Sequence, residues 1–197
     1  VVVEEIVNLD VDDEAGLRNE YDEQLTMSKF RNELKEIQQL IQTTGDIEGA
    51  LAKIDEIEAE FADFKPARPV VVQFRLQLLQ MDGRVDEVVK LADTMLADEE
   101  TEQELRLTLL GAKLNTLAQA EKFEAALEVA DSMREEFAEE KQLATQISVA
   151  RAQLLSKLKR IDEARIALQE ARDSGGPQMK AMIDAAEKSI ISAKKEA

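Results

Sequence analysis

Four apolar residues, Ile47, Val85, Phe123 and Ile161, stand 38 residues apart, and each opens the same pattern. Three positions beyond each anchor comes a small or short side chain: Ala50, Val88, Ala126 and Ala164. Seven beyond come Ile54, Ala92, Ala130 and Leu168, and ten beyond come Ile57, Met95, Met133 and Ala171. Apolar residues at that spacing fall on one stripe of a 3.6-residue helix. Small residues within the stripe mark places where two helices approach closely. A second stripe precedes each anchor: Leu34, Val72, Leu110 and Ser148 lie thirteen residues before it, and Ile41, Leu79, Leu117 and Leu155 lie six before. Each unit is therefore expected to be a helical hairpin. Neither helix can bury its stripe alone, so neighbouring units must stack into a repeat array.

Between the two stripes lie short turns: Thr44-Gly45-Asp46, Asp82-Gly83-Arg84, Ala120-Glu121-Lys122 and Leu158-Lys159-Arg160. Gly45 and Gly83 can take the positive φ that closes a helix. Acidic residues follow each anchor, in the first turn of the next helix, where the macrodipole favours them.

The ends depart from the pattern. Residues 1–12 are expected to be the stump of an upstream repeat, or a short edge segment. Residues 13–174 form the repeat domain. The stretch from Glu14 to Thr43 is helix-patterned but longer than a usual first helix, so it is one long helix or two. Ser174-Gly175-Gly176-Pro177 stops one helix and starts another, because Pro is tolerated in a first turn. Residues 175–197 then read as a C-terminal capping helix, with Met179, Met182, Ile183, Ala186 and Ile190 on one side. A linker into a following domain is the alternative.

Composition agrees with an all-α chain. Apolar residues make up 44% but aromatics only 4%, so the core is Ala, Leu, Ile and Val, which suits helix-on-helix packing. The chain has no Cys and no His, which removes thiol chemistry, His-based metal sites and His acid–base catalysis. Net charge is −17, and residues 1–64 hold 18 acidic against 5 basic side chains. Such a surface repels phosphate backbones and anionic lipid, so nucleic acid is not an expected partner. Apolar runs are short, so membrane insertion is not expected either.

Candidate chemistry is sparse. Asp10 to Glu14 and Asp98 to Glu104 are acidic stretches that invite a calcium reading. An EF-hand loop starting at Asp10 needs Gly at its sixth place and Glu at its twelfth, which here are Ala15 and Tyr21. The pattern fails, and both stretches read as helix starts or solvated loops. No Gly-rich phosphate loop or nucleophile elbow is present. No catalytic residue, metal or cofactor is assigned, and the segment is read as non-enzymatic.

One polar column stands out. Gln39, Gln77, Asn115 and Gln153 lie eight residues before the four anchors, a carboxamide in every unit. Gln42, Gln80, Gln73, Gln119 and Gln146 lie near it. Carboxamides both donate and accept, which suits an extended peptide backbone. The alternatives are amides that bond between adjacent first helices, or amides that are simply solvated.

Gly45-Asp46-Ile47-x-x-Ala50, Gly83-Arg84-Val85-Asp86-Glu87-Val88 and Arg160-Ile161-Asp162-Glu163-Ala164 resemble the turn and second-helix opening of the tetratricopeptide repeat. The likeness covers about residues 30–175, although that family's repeat is about 34 residues long. It implies a right-handed superhelix, an α-solenoid of about four helical hairpins with flanking helices. It further implies a concave groove lined by the first helices, and a non-catalytic scaffold that binds a protein or peptide there. On that reading Lys35 joins the ten candidate groove residues: Lys35, Gln39, Gln42, Gln73, Gln77, Gln80, Asn115, Gln119, Gln146 and Gln153. Lys35 and Gln39 match the start of the family's carboxylate clamp, but Thr108 and Ala112 replace its third-repeat basic residues. With the Leu9–Arg18 segment included, the chain is also similar to helical regions preceding thioredoxin-like domains in bacterial disulfide reductases. That implies the alternative function, an accessory domain of a larger thiol–disulfide oxidoreductase. Self-association through exposed terminal repeats is a third expectation.

Overall fold

The computed structural model describes the backbone of residues 11–195 and the side chains of residues 21–191. Among the described residues there are nine α-helices and no strand. The fold is an all-α array of helical hairpins. It divides into two compact units, Val1–Leu78 and Leu79–Ala197, with the boundary inside a helix.

The first unit contains α1 (Val11–Thr44), α2 (Ile47–Glu60) and most of α3 (Ala67–Met81). The stretch read as one helix or two is one, of 34 residues. Of the segment expected to be a stump, residues 1–12, residues 1–10 lie outside the described residues, and Val11 and Asp12 open α1. α1 packs on α2. Phe30 lies edge-on to Phe61 and to Phe64, with ring centroids 5.2 Å and 6.2 Å apart. With Leu34, Ile37, Leu51, Ile54 and Ile57, which are also buried, these rings form the apolar centre of the unit.

The second unit runs on through α4 (Val85–Leu96), α5 (Gln103–Gln119), α6 (Phe123–Glu136), α7 (Lys141–Lys157) and α8 (Ile161–Ser174). A single 3₁₀ turn (Pro177–Met179) leads into α9 (Lys180–Lys195). Each of α4 to α8 packs on its neighbour in sequence, and α9 covers both α7 and α8. The α9 side chains that do so are Ile183, Ala186 and Ile190, all buried, joined by buried Met179 from the 3₁₀ turn.

The anchors Ile47, Val85, Phe123 and Ile161 are each the first residue of a helix. The small residues three positions on, Ala50, Val88, Ala126 and Ala164, are completely buried, each 0% exposed. A larger side chain there would overpack the hairpin and cost about 1–3 kcal/mol.

The four turns share a left-handed residue at one position. The residue two before each anchor has positive φ: Gly45 (67°), Gly83 (70°), Glu121 (58°) and Lys159 (62°). In the last three the chain closes with the same long backbone bond. Arg84, Lys122 and Arg160 N–H donate to Leu79, Leu117 and Leu155 C=O at 2.9, 2.9 and 2.8 Å, the six-to-one bond of a Schellman close. The first turn ends differently, with Gly45 N–H on Ile41 C=O at 2.9 Å. There the Asp46 carboxylate caps α2 by accepting from Gly49 N–H at 2.9 Å.

A ladder of ion pairs repeats at the same period. Arg75 donates to Asp55 at 2.6 Å, Lys113 to Asp93 at 2.5 Å and Arg151 to Asp131 at 2.5 Å. Each rung joins the second helix of one hairpin to the first helix of the next. The positions that would extend the ladder hold Ile37, which is buried, and Gln169, which bonds Asp173 in its own helix.

Candidate functional site

The column residues stand on the first helix of each hairpin: Gln39 on α1, Gln77 on α3, Asn115 on α5 and Gln153 on α7. All four are exposed. Their apolar neighbours on the same helices turn inward: Leu76, Leu78, Leu114, Ala152 and Leu154 are buried. The helix thus fixes the amides outward by burying what flanks them. None of the hydrogen bonds among the described residues uses the side chain of Gln39, Gln77, Asn115 or Gln153. Among the described residues the column thus shows no inter-helix bonding, which was one of the alternatives; simply solvated amides, the other, have this same exposed geometry.

The surrounding candidates differ among themselves. Gln42, Gln73, Gln119 and Gln146 are exposed and likewise make no side-chain hydrogen bond among the described residues. Gln80 is half-buried and engaged. Its Nε2 donates to Thr116 Oγ1 at 2.8 Å and to Ala112 C=O at 3.2 Å, tying the end of α3 to α5. Thr116, whose hydroxyl receives that bond, is buried. Gln80 is therefore a strut between helices.

Two surface clefts touch the candidates. Lys35 lines one of about 710 Å³ in the first unit, together with Met27, Arg31, Asn32, Phe64 and Pro66. Gln146 lines one of about 390 Å³ in the second unit, with Leu107, Lys141, Gln142 and Leu143. Lys35 and Gln39 sit four residues apart on α1, one turn of the same face.

Charge is sorted by helix, which the net figure of −17 conceals. The helices α3, α5 and α7 contain seven basic residues and a single acid, Glu104. The helices α2, α4, α6 and α8 contain seventeen acids and five bases. Arg75, Arg106, Lys113 and Arg151, on the first group, are engaged with carboxylates on the second. The exposed positions of α3, α5 and α7 hold the amides together with Arg68, Glu104, Lys141 and Lys157. This sorting was readable in the sequence, helix by helix, once the helix boundaries were known.

Titration behaviour follows the ion pairs. Hydrogen bonds to Glu60, Glu36 and Glu136 raise the pKa of Lys29, Lys53 and Arg106 respectively. The bond from Arg160 holds the Glu163 carboxyl below its ordinary value and raises Arg160 in turn. All five are surface ion-pair effects, and none falls on the amide column. Among the described residues no group of three or more Asp, Glu, Cys or His is placed to hold a metal ion. The acidic stretch from Asp98 closes a loop instead: Asp98 accepts from Glu100 N–H at 3.0 Å, and buried Thr101 donates to Met95 C=O at 2.7 Å. No described helix is long and apolar enough to cross a membrane. No family model matches this chain, and neither a curated protein nor a solved structure matches it.

Proposed function

We propose that this chain is a tetratricopeptide-like interaction module that binds an extended segment of a protein partner along its first helices. The observation that carries the reading is the exposed amide column, three of whose four members, Gln77, Asn115 and Gln153, stand on helices almost devoid of acid. Each unit offers two members, Gln39 and Gln77 in the first, Asn115 and Gln153 in the second. An exposed carboxamide in water is already solvated, so it gains about 0.5–1.5 kcal/mol only when a partner supplies a complementary backbone group. Repetition at a fixed interval turns several such small gains into specificity for an extended chain. Around Gln77, Asn115 and Gln153 acid is held mostly on the neighbouring second helices, whereas α1, which carries Gln39, holds eight acids against four bases.

A photo-crosslinking residue placed at Asn115 tests this in the source cells, followed by mass spectrometry of what is captured. The captured protein is then titrated against the wild-type chain and against Asn115→Ala with Gln153→Ala. The reading requires the double variant to bind at least several-fold more weakly while its melting temperature stays within a few degrees. Equal binding by the two forms rejects it.

A further inference from the structure

We propose that the overhanging stretch of α1 from Tyr21 to Phe30 pairs, antiparallel, with the same segment of a second copy of this chain. α1 has 34 residues and α2 has 14, so at 1.5 Å per residue α1 outreaches its hairpin partner by about 30 Å. The overhang begins at Lys29, whose ammonium bonds Glu60, the last residue of α2. Ahead of that point, among the described side chains, α1 holds two large apolar ones in water, Tyr21 at 66% exposure and Leu25 at 59%. With Ser28 and Asn32 they follow a spacing of four, three and four residues, which is one face of a helix. The cleft of about 710 Å³ that includes Met27, Arg31 and Phe64 opens on the same helix.

Charge selects the occupant and its direction. Asp22 and Lys29 are seven residues apart, two turns, so they share one flank of that face on either side of Leu25. In an antiparallel pair like flanks meet. A two-fold axis near Leu25 and Thr26 therefore sets Asp22 of each copy against Lys29 of the other, twice. A parallel pair brings unlike flanks together and forms neither contact. The same axis places Tyr21 of one copy level with Phe30 of the other, beside the Met27–Phe64 cleft. An aromatic ring entering there meets Met27, Phe64 and Pro66 on a lining that also holds Glu23, Gln24 and the Arg31 guanidinium, the last available for a cation–π contact. The pairing stands apart from the amide-column reading, whose test residues Asn115 and Gln153 lie in the other unit.

Sedimentation equilibrium of the full chain tests the pairing, with a dissociation constant of about 10–100 μM expected for an interface this small. Leu25→Glu is expected to weaken the dimer about tenfold or more, as loss of a central apolar contact does, with helicity unchanged by circular dichroism. Asp22→Lys and Lys29→Glu should each weaken it alone, and an equimolar mixture of the two should form a heterodimer, because every facing pair then becomes opposite in charge. If Lys29→Glu loosens the hairpin through loss of Glu60, Leu25→Glu and Asp22→Lys carry the test. A chain that stays monomeric at every concentration overturns the proposal. So does a dimer that Leu25→Glu leaves intact, or folded charge variants that fail to associate when mixed.

Discussion

Arg151 on α7 donates its Nε–H to the Asp131 carboxylate on α6 at 2.5 Å, and this pair is the last rung of a ladder spaced by the repeat itself. The Arg151 side chain is only 15% exposed while Asp131 is 46% exposed, so the guanidinium stem is packed and the carboxylate is half in water. Solvent screening limits the pair to about 0.5–1 kcal/mol of coupling. A double-mutant cycle of Arg151→Met and Asp131→Asn, read by urea denaturation, should return a value in that range that falls with added salt. A coupling near zero would assign the ladder to register alone.

The turns lead to a second prediction. Glu121 and Lys159 hold φ of 58° and 62° at the position where the first two repeats use glycine. A side chain in the left-handed region costs about 1–2 kcal/mol, partly offset by the extra freedom glycine has when unfolded. Glu121→Gly and Lys159→Gly should therefore each stabilise the chain by about 0.5–1 kcal/mol. Gly83→Ala should destabilise it by a similar amount, although open space surrounds that position. Chemical denaturation of the three variants separates strain from packing, since no neighbour contact changes.

Much of this architecture was legible in the residues. The period placed Ile47, Val85, Phe123 and Ile161 at the start of their helices, and the small-residue rule picked the four buried positions at Ala50, Val88, Ala126 and Ala164. Glycine identified two of the left-handed turns but was blind to Glu121 and Lys159, because backbone closure overrode their local preference. The ion-pair ladder was missed for another reason. Arg75, Lys113 and Arg151 are spaced by 38 residues, but their partners lie 20 residues upstream on a different helix, and only packing reveals that offset. Gln80 was grouped with the other amides because sequence records what a side chain is, and its bond to Thr116 depends on where α3 ends against α5.

Gly175 offers a third prediction: it follows the last residue of α8, as its sequence reading had it, but backbone freedom is not the reason. Its φ of −79° and ψ of 134° suit any residue, so conformational freedom is not why it is glycine. A Cβ there would lie 2.6 Å from the Ala171 carbonyl oxygen and 3.0 Å from Thr145 Cγ2. Thr145 is fully buried and bonded to Lys141 C=O at 2.8 Å and to Ser174 Oγ at 3.2 Å, so it has little room to yield. Gly175→Ala should cost about 1–3 kcal/mol by overpacking. Hydrogen exchange should quicken first in α9, which docks beside this turn through Ile183.

The fourth prediction concerns acid. Arg160 donates to Glu163 through Nε at 2.7 Å and Nη2 at 2.5 Å, and this bond is the main cause holding the Glu163 carboxyl below its ordinary value of 4.5. A carboxyl with a lowered folded pKa binds its proton more weakly in the folded than in the unfolded chain. Its contribution to stability is thus complete above pH 4.5 and disappears as pH falls through the lower, folded value. Carbon-detected NMR titration should find the Glu163 midpoint below 4.5 in the wild type and close to it in Arg160→Ala. The Glu163 side chain is about half in water, and burial would push its carboxyl up, so the downward shift is tied chiefly to the Arg160 hydrogen bonds. A Glu163 midpoint that Arg160→Ala leaves unchanged would transfer the cause to the N-terminal dipole of α8, which the same carboxylate faces from its first turn.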